Sequence, residues 1–436
     1  MPQSDSSTPN TSNDSRRDFM KKSVILGGAA AAGSLSFAQT AHAAGGDTLK
    51  VALIGCGGRG MGAAKNATVG DPNLKITVLA DIFPDRLDAA RKILDHTLNT
   101  DGQKRLEVTD ETCFTGFDAY KKVMETDVDV VLLTTPPHFR PVMLKAAIAA
   151  GKHVFCEKPV AVDAPGCRSV METVEEARKK KLSIVSGLCW RYAPAVQETV
   201  KRIKDGAIGD IIAIQENYLA GTLWNRPRQP EWSEMENQIR NWLYYTWLSG
   251  DHNNEQHIHS LDKALWLMDD EPPASCYGMG GRQVRTDPVY GNIFDHHAVC
   301  YEYASGVKVF SYTRQMENCF RETEDHIMGT KGSARVLKNQ IKGAEDWKYR
   351  GPGGNMYDLE HKALYAGIRS GNIINNGIYM TRSTMMAIMG RMATYTGQKI
   401  TWEKAWNSEL DLTPKVYEWG DIEIPEVPKP GFTPFV

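Results

Sequence analysis

Several things are scarce in this 436-residue chain, and each scarcity removes a class of function. Neither sign of charge dominates: 51 Lys and Arg against 53 Asp and Glu leave a net charge of -2. There is no basic footprint for nucleic acid, and no nucleic-acid partner is expected. The eight cysteines are scattered without C-x-x-C pairs, which excludes a zinc ribbon and a dense disulfide framework. They read as mostly reduced core residues, with one or two disulfides left open if the chain reaches an oxidising compartment. No H-E-x-x-H occurs, and no run reaches the roughly 18 to 20 apolar residues that span a bilayer.

What is present begins with a polar, Ser- and Asn-rich start leading to Ser15-Arg16-Arg17-Asp18-Phe19-Met20-Lys21. A weakly apolar run from Val24 to Ala38 and a small-x-small site, Ala41-His42-Ala43, follow. Paired arginines before such a segment resemble a twin-arginine export signal. Residues 1–43 are therefore expected to be that signal, and the mature protein to be periplasmic with no membrane span. The remainder, roughly 390 residues, is too long for one typical core. We expect a dinucleotide-binding domain over 44–189, an α+β substrate and oligomerisation domain over 190–410, and a tail over 411–436.

From Leu49 to Cys189 apolar strands alternate with amphipathic helices, which predicts right-handed βαβ units and a doubly wound parallel sheet. The expected strands are Leu49 to Ile54, Leu74 to Ala80, Val128 to Thr135, Lys152 to Glu157 and Ser183 to Cys189. Asp163 is the expected cap of a helix from Ala164 to Lys180. The turn Gly55-Cys56-Gly57-Gly58-Arg59-Gly60 follows the first strand and opens a helix, the context that gives G-x-G-x-x-G its meaning. Gly55 permits the sharp turn, Gly57 lets backbone approach a pyrophosphate, and Gly60 lets helix pack on strand. Asp81 ends the second strand, where an acid accepts hydrogen bonds from the adenosine ribose. A carboxylate there repels a 2'-phosphate, so NAD is favoured over NADP; Arg59 and Arg86 pull the other way.

Beyond Trp190 strand runs follow one another without intervening helices, which predicts an open, largely antiparallel sheet. A helix is expected from about Asp251 to Met268, with His252, Glu255, His259 and Asp262 on one stripe. A second, Thr381 to Thr396, carries Met385, Ile388, Met389 and Met392 as core and is closed by Gly397. The tail after Leu412 is Pro-rich and is expected to wrap the surface or a neighbouring subunit. The loop Gly221 to Trp247 is crowded with aromatics and arginines. Flat rings stack on sugar faces and guanidinium groups bind acids, so Trp224, Arg226, Trp242 and Tyr245 are candidate carbohydrate contacts; an oligomer interface fits the same composition.

Five ordered motifs, Gly55-x-Gly57-x-x-Gly60, Ala80-Asp81, Thr134-Thr135-Pro136-Pro137-His138, Glu157-Lys158-Pro159 and Trp190-Arg191-Tyr192, together with the helix around His259 and Asp262, resemble the glucose-fructose oxidoreductase, inositol dehydrogenase and rhizopine-catabolism family. The likeness runs from Leu49 to about Trp402. It implies a Rossmann domain, an NAD(P) cofactor, and a sugar or cyclitol substrate. By the same resemblance Thr134, Thr135, Pro136, His138, Glu157, Trp190 and Arg191 join Gly58 and Arg59 as cofactor contacts. Lys158 would hold the reacting hydroxyl, with Pro159 fixing its loop through a cis bond; His259 is the acid/base residue, Asp262 its companion, and Tyr192 faces substrate. The family pattern D-x-G-x-H-x-x-D is altered here: Glu255 replaces the aspartate and His257 the glycine, which bears on the substrate. Glu255 would touch a substrate hydroxyl or orient His259, and His257 would add a proton carrier or point at solvent. A metal at His252, Glu255 and His259, with His296 and His297 adding imidazoles nearby in sequence, is the rival reading, and none is expected.

The leading functional expectation is hydride transfer from a secondary hydroxyl of a sugar or cyclitol to a nicotinamide by a homo-oligomeric enzyme. The alternative is a redox-neutral glycosidase acting by oxidation, elimination, hydration and reduction on bound NAD. A non-catalytic nucleotide-bound protein is the third.

Overall fold

The computed structural model describes residues 47–100 and 102–436, which belong to one compact unit; the expected export signal lies outside them. Six strands form the first sheet: β1 (Leu49–Ile54), β2 (Leu74–Asp81), β3 (Cys113–Thr115), β4 (Val130–Leu133), β5 (His153–Cys156) and β6 (Ile184–Ser186). Their order is β3-β2-β1-β4-β5-β6, every neighbouring pair parallel. This is the doubly wound arrangement expected. Strand order reverses between β1 and β4, and at that switch point the carboxyl ends of the strands open a crevice for ligand. The continuously apolar Val130 to Leu133 is buried throughout, as a strand covered on both faces must be.

The glycine turn is shaped by contact. Gly55 has φ +99°, a conformation that a side chain disfavours. A Cβ on Gly60 would lie 1.8 Å from the carbonyl oxygen of Gly55, so the helix Gly58–Gly70 can sit this close to β1 only without one. Thr134 clasps the same turn, its hydroxyl donating to Gly55 O at 2.7 Å and Ile54 O at 3.0 Å. Asp163 caps the helix Ala164–Lys180 as expected, accepting from Gly166 N at 2.8 Å.

The second sheet has nine strands: β7 (Ile211–Ala220), β8 (Ser275–Gly281), β9 (His296–Glu302), β10 (Lys308–Gln315), β11 (Glu322–Gly329), β12 (Gly332–Arg335), β13 (Gln340–Lys342), β14 (Trp347–Lys348) and β15 (Ile400–Thr401). Their order is β14-β13-β12-β11-β7-β10-β9-β8-β15. Only β7 and β10 pair in parallel; the rest are antiparallel. The helix Gly377–Thr396 lies against one face, with Met385, Ile388, Met389 and Met392 all in the core and Gly397 closing it at φ +71°. All eight cysteines are free thiols, six of them buried.

The expected helix from Asp251 to Met268 is corrected by the structure. One turn, His252–Glu255, is separated from Ile258–Leu267. The amide of His257 bonds five residues back, to His252 O at 3.0 Å, and its ring is drawn inward to Ser311 Oγ at 2.6 Å. The wider turn interrupts the helix, and His252 pairs with Asp251, Asp262 with Arg191 and Glu255 with Lys158.

Substituting Gly60→Ala should lower stability by about 1–3 kcal/mol through forced overpacking, read as an earlier midpoint in urea with an unchanged slope.

Candidate active site

Two loops and one helix converge at the carboxyl ends of β4 and β5. The loop after β4 begins with Thr134, and the loop after β5 is Glu157-Lys158-Pro159, whose Lys158–Pro159 bond is cis. Arg140, buried in the next helix, joins them: its guanidinium donates to Thr135 O and to Pro159 O, each at 2.5 Å. Sequence reasoning missed Arg140, because nothing in its local pattern distinguishes it from a surface arginine.

A chain of charges crosses the crevice. Arg59, from the glycine turn, donates to Glu157 and reaches Glu360 at 3.3 Å. Burial pushes the Glu157 carboxyl up, but Arg59, Lys158 and Arg140 outweigh it and hold it below its ordinary value. Glu360, on the helix Met356–Ser370, is pushed well above the usual carboxylate range by burial and by Glu157. Lys158 continues the chain: its Nζ donates to Glu255 O at 2.5 Å and to Glu255 Oε1 at 2.9 Å. The two side chains are only 13% and 15% exposed, so water screens this pair weakly.

His259 stands half-buried beyond this pair. Burial, then the positive charges of Lys158, Lys263 and Arg59, hold its imidazole well below the ordinary value, and its Nδ1 has no protein partner. A neutral imidazole with a free ring nitrogen next to an ammonium is equipped to take a proton. Lys263 is itself buried, bonded to His259 O at 2.6 Å and paired with Asp325 at 3.3 Å.

Other expected site residues lie elsewhere. Asp262 does not reach the crevice as an acid/base partner: Arg191 Nε donates to both its oxygens at 3.0 Å and Ser383 Oγ to Oδ1 at 2.8 Å. Arg191 also pairs with Asp270 at 2.6 Å and is stacked 3.9 Å from the Tyr379 ring centroid. The Tyr192 hydroxyl donates to Asn376 at 2.8 Å. Trp190 packs on the core with the Lys263 ammonium over its ring. His257, expected to act as a proton carrier or face solvent, is instead buried against Ser311. Tyr245 lies in a buried aromatic cluster and meets Asn237 at 3.2 Å. His138 turns away to Tyr417 at 2.7 Å and to the edge of Trp247.

A cleft of about 410 Å³ runs from the glycine turn past Asp81. Gly55, Gly57, Gly58, Arg59, Gly60, Asp81, Thr134, Thr135 and Pro136 line it, and so do Trp224, Arg226 and Trp242 from the aromatic loop. Those three, expected to contact substrate, stand over the nucleotide crevice because the loop folds back across it. Asp81 accepts from Cys56 N at 2.6 Å and Phe83 N at 2.9 Å. The bare glycine cradle, the acid at the end of β2 and the helix N-terminus together fit a dinucleotide.

Of the residues of the rival metal reading, His252 and His297 come together, without Glu255 or His259. Among the described residues one trio brings ligand atoms within 4.8 Å of one another, Asp251, His252 and His297. Asp251 there already accepts from Tyr395 Oη at 2.5 Å, Phe294 N at 3.0 Å and His252 N, and the charges of Arg285 and Arg391 act on it. This is a balanced interior charge centre.

The fold and this crevice define a protein of the dinucleotide-binding Rossmann class. Residues 49–185 match the model "Oxidoreductase family, NAD-binding Rossmann fold" and residues 196–335 the "GFO/IDH/MocA C-terminal domain"; the chain belongs to this family, as its motifs implied. It is 28% identical over 220 residues to 2,7-anhydro-N-acetylneuraminate hydratase of Escherichia coli, covering 50% of this chain and 54% of that protein. The chain thus spans about half the length of that relative. With inositol 2-dehydrogenase of Pseudomonas fluorescens it shares 26% identity over 341 residues, 75% of this chain and 88% of that one. A solved levoglucosan dehydrogenase in complex with NADH and levoglucosan superposes with a TM-score of 0.63 at 17% identity, over 81% of this chain and 99% of that one.

Two outcomes follow. Arg191→Met, which leaves Asp262 buried and unpaired, should cost about 3–5 kcal/mol in urea unfolding. Burial drives the His138 imidazole from 6.5 down to about 4, so the unfolded chain binds this proton first and stability falls as pH drops through that window. His138→Gln should flatten the fall by about 1.4 kcal/mol per pH unit between those values.

Proposed function

We propose that the protein oxidises a secondary hydroxyl of a sugar or cyclitol. The observation that carries this reading is the Lys158 side chain on the loop after β5, paired with Glu255 and acting through its charge on the His259 imidazole. His259 takes the hydroxyl proton on a ring nitrogen, and Lys158 stabilises the developing alkoxide, where fixed positive charge has its largest effect. The bound nicotinamide supplies the acceptor for the hydride leaving the same carbon. Glu255 orients Lys158 and gives it up when a substrate hydroxyl enters. We further propose NAD over NADP, from the Asp81 carboxylate in the cleft, although Arg86 and Arg226 line the same wall. Substrate enters a periplasmic enzyme exported by its twin-arginine leader, which divides into the domains 44–189 and 190–410. Copies associate through the outer sheet face, where Tyr277, Met279, Tyr312 and Met328 are exposed.

A second reading is favoured by one finding, the likeness to a hydratase acting on an anhydro-sugar. In it the ketone formed by oxidation acidifies the neighbouring C–H, a leaving group is eliminated, water adds, and the ketone is reduced again. A cofactor that never leaves would suit that cycle. The electrostatic coupling of Lys158 to His259 disfavours a non-catalytic protein.

The test begins with mass spectrometry of nucleotide from purified protein. A panel of cyclitols, sugars and aryl glycosides follows, with absorbance at the reduced-nicotinamide band and chromatography of products. NADH formation from a free polyol supports the first reading, and glycoside cleavage without added NAD the second. Lys158→Ala should lower turnover by about 10²–10³-fold while leaving dinucleotide affinity nearly unchanged; an unaltered rate removes the assignment.

A further inference from the structure

The chain's last residues form no ladder with either sheet, yet they do not trail into solvent. Leu412 N donates to Asp163 Oδ2 at 3.0 Å, Tyr417 Oη meets His138 Nε2 at 2.7 Å, and Gly420 O accepts from Met235 N at 3.0 Å. Between these anchors the Trp419 ring stacks on Phe83, centroids 5.5 Å apart and planes 24° apart, and lies 4.8 Å from the Phe117 ring. Phe83 and Phe117 line the dinucleotide cleft immediately beyond Asp81, which marks its adenosine side. Arg240 covers Phe83 from the other direction, its guanidinium carbon 4.0 Å from the ring centroid, and it too lines the cleft.

We propose that the segment Asp411–Ile422 is a working part of the dinucleotide site: a strap whose Trp419 braces the aromatic wall at the adenine end and must lift before the nucleotide leaves. This rests on the reading of the cleft as a nicotinamide-dinucleotide site. The strap runs from the first sheet's helices to the helix Glu234–Arg240, so it ties the aromatic loop down across the cleft mouth. Its hold is made of a few hydrogen bonds, the ring contacts of Tyr417 and Trp419 with His138, Phe139, Phe83 and Phe117, and the packing of Leu412 and Ile422, and Trp419 is 47% exposed. Such a segment can peel away without unfolding the domain. A flat adenine filling the cleft completes the stack from within, so ligand and strap stabilise each other.

The experiment uses the full chain loaded with NADH and chased with excess NAD, following NADH fluorescence. Release from Trp419→Ala should be about tenfold faster than from the unmodified protein, the loss of one well-packed ring, and Trp419→Phe should restore most of the difference. Hydrogen-exchange mass spectrometry of the unmodified protein supplies the arm that needs no variant: amides of residues 411–422 should gain protection when NADH is added. Unchanged release from Trp419→Ala, or equal exchange of the strap with and without NADH, overturns the strap. Failure of the unmodified protein to bind NADH or NADPH at all overturns the dinucleotide reading beneath it.

Discussion

The arrangement depends on one row of charges, Glu360–Arg59–Glu157 and Lys158–Glu255, running from the glycine turn to the helix that carries His259. Buried carboxylates and ammonium groups are costly when alone and tolerated when each is answered by its neighbour. The row therefore fixes three separate chain segments at once: the turn through Arg59, the cis-proline loop through Glu157 and Lys158, and the second half of the molecule through Glu255. Two of its members, Lys158 and Arg59, act on His259 with their positive charge. Burial comes first in holding the imidazole below its ordinary value, and these two charges reinforce it, with Lys263 beside them.

Around this row the fold supplies support of different kinds. Gly60 brings the helix N-terminus close to β1 by lacking a side chain. Arg140 ties the loops after β4 and β5 together by their backbones. Arg191 and Asp262 form a buried tie between the end of the first sheet and the helix Ile258–Leu267. A residue that resemblance assigns to acid/base chemistry thus serves chiefly to hold that helix where His259 needs to be.

Much of this was legible in the sequence where the physics is local. Strand β1, the capping Asp163, the methionine-rich core helix and the glycine turn all follow from periodicity and turn chemistry. What escaped was decided by distant contacts. The break at Gln256 accompanies the long-range bond of the His257 ring to Ser311, which helical spacing cannot register. Strand β11 reads as polar because it carries Glu322, Glu324 and Asp325, yet Glu324 and Asp325 are buried, Asp325 answered by Lys263 of another element. Trp224, Arg226 and Trp242 were recognised as binding residues by type, but their loop is laid over the cofactor cleft by tertiary packing.

The central claim is that burial, reinforced by Lys158 and Arg59 of this row, keeps His259 an uncharged base. Nitrogen-15 NMR of the full-length, dinucleotide-loaded protein, with the His259 ring assigned by comparison with a His259→Gln variant, measures it directly across about pH 5 to 8. The account predicts ring shifts of a neutral tautomer throughout that range. An imidazolium already present at pH 6.5, the ordinary midpoint of a free histidine, would contradict it.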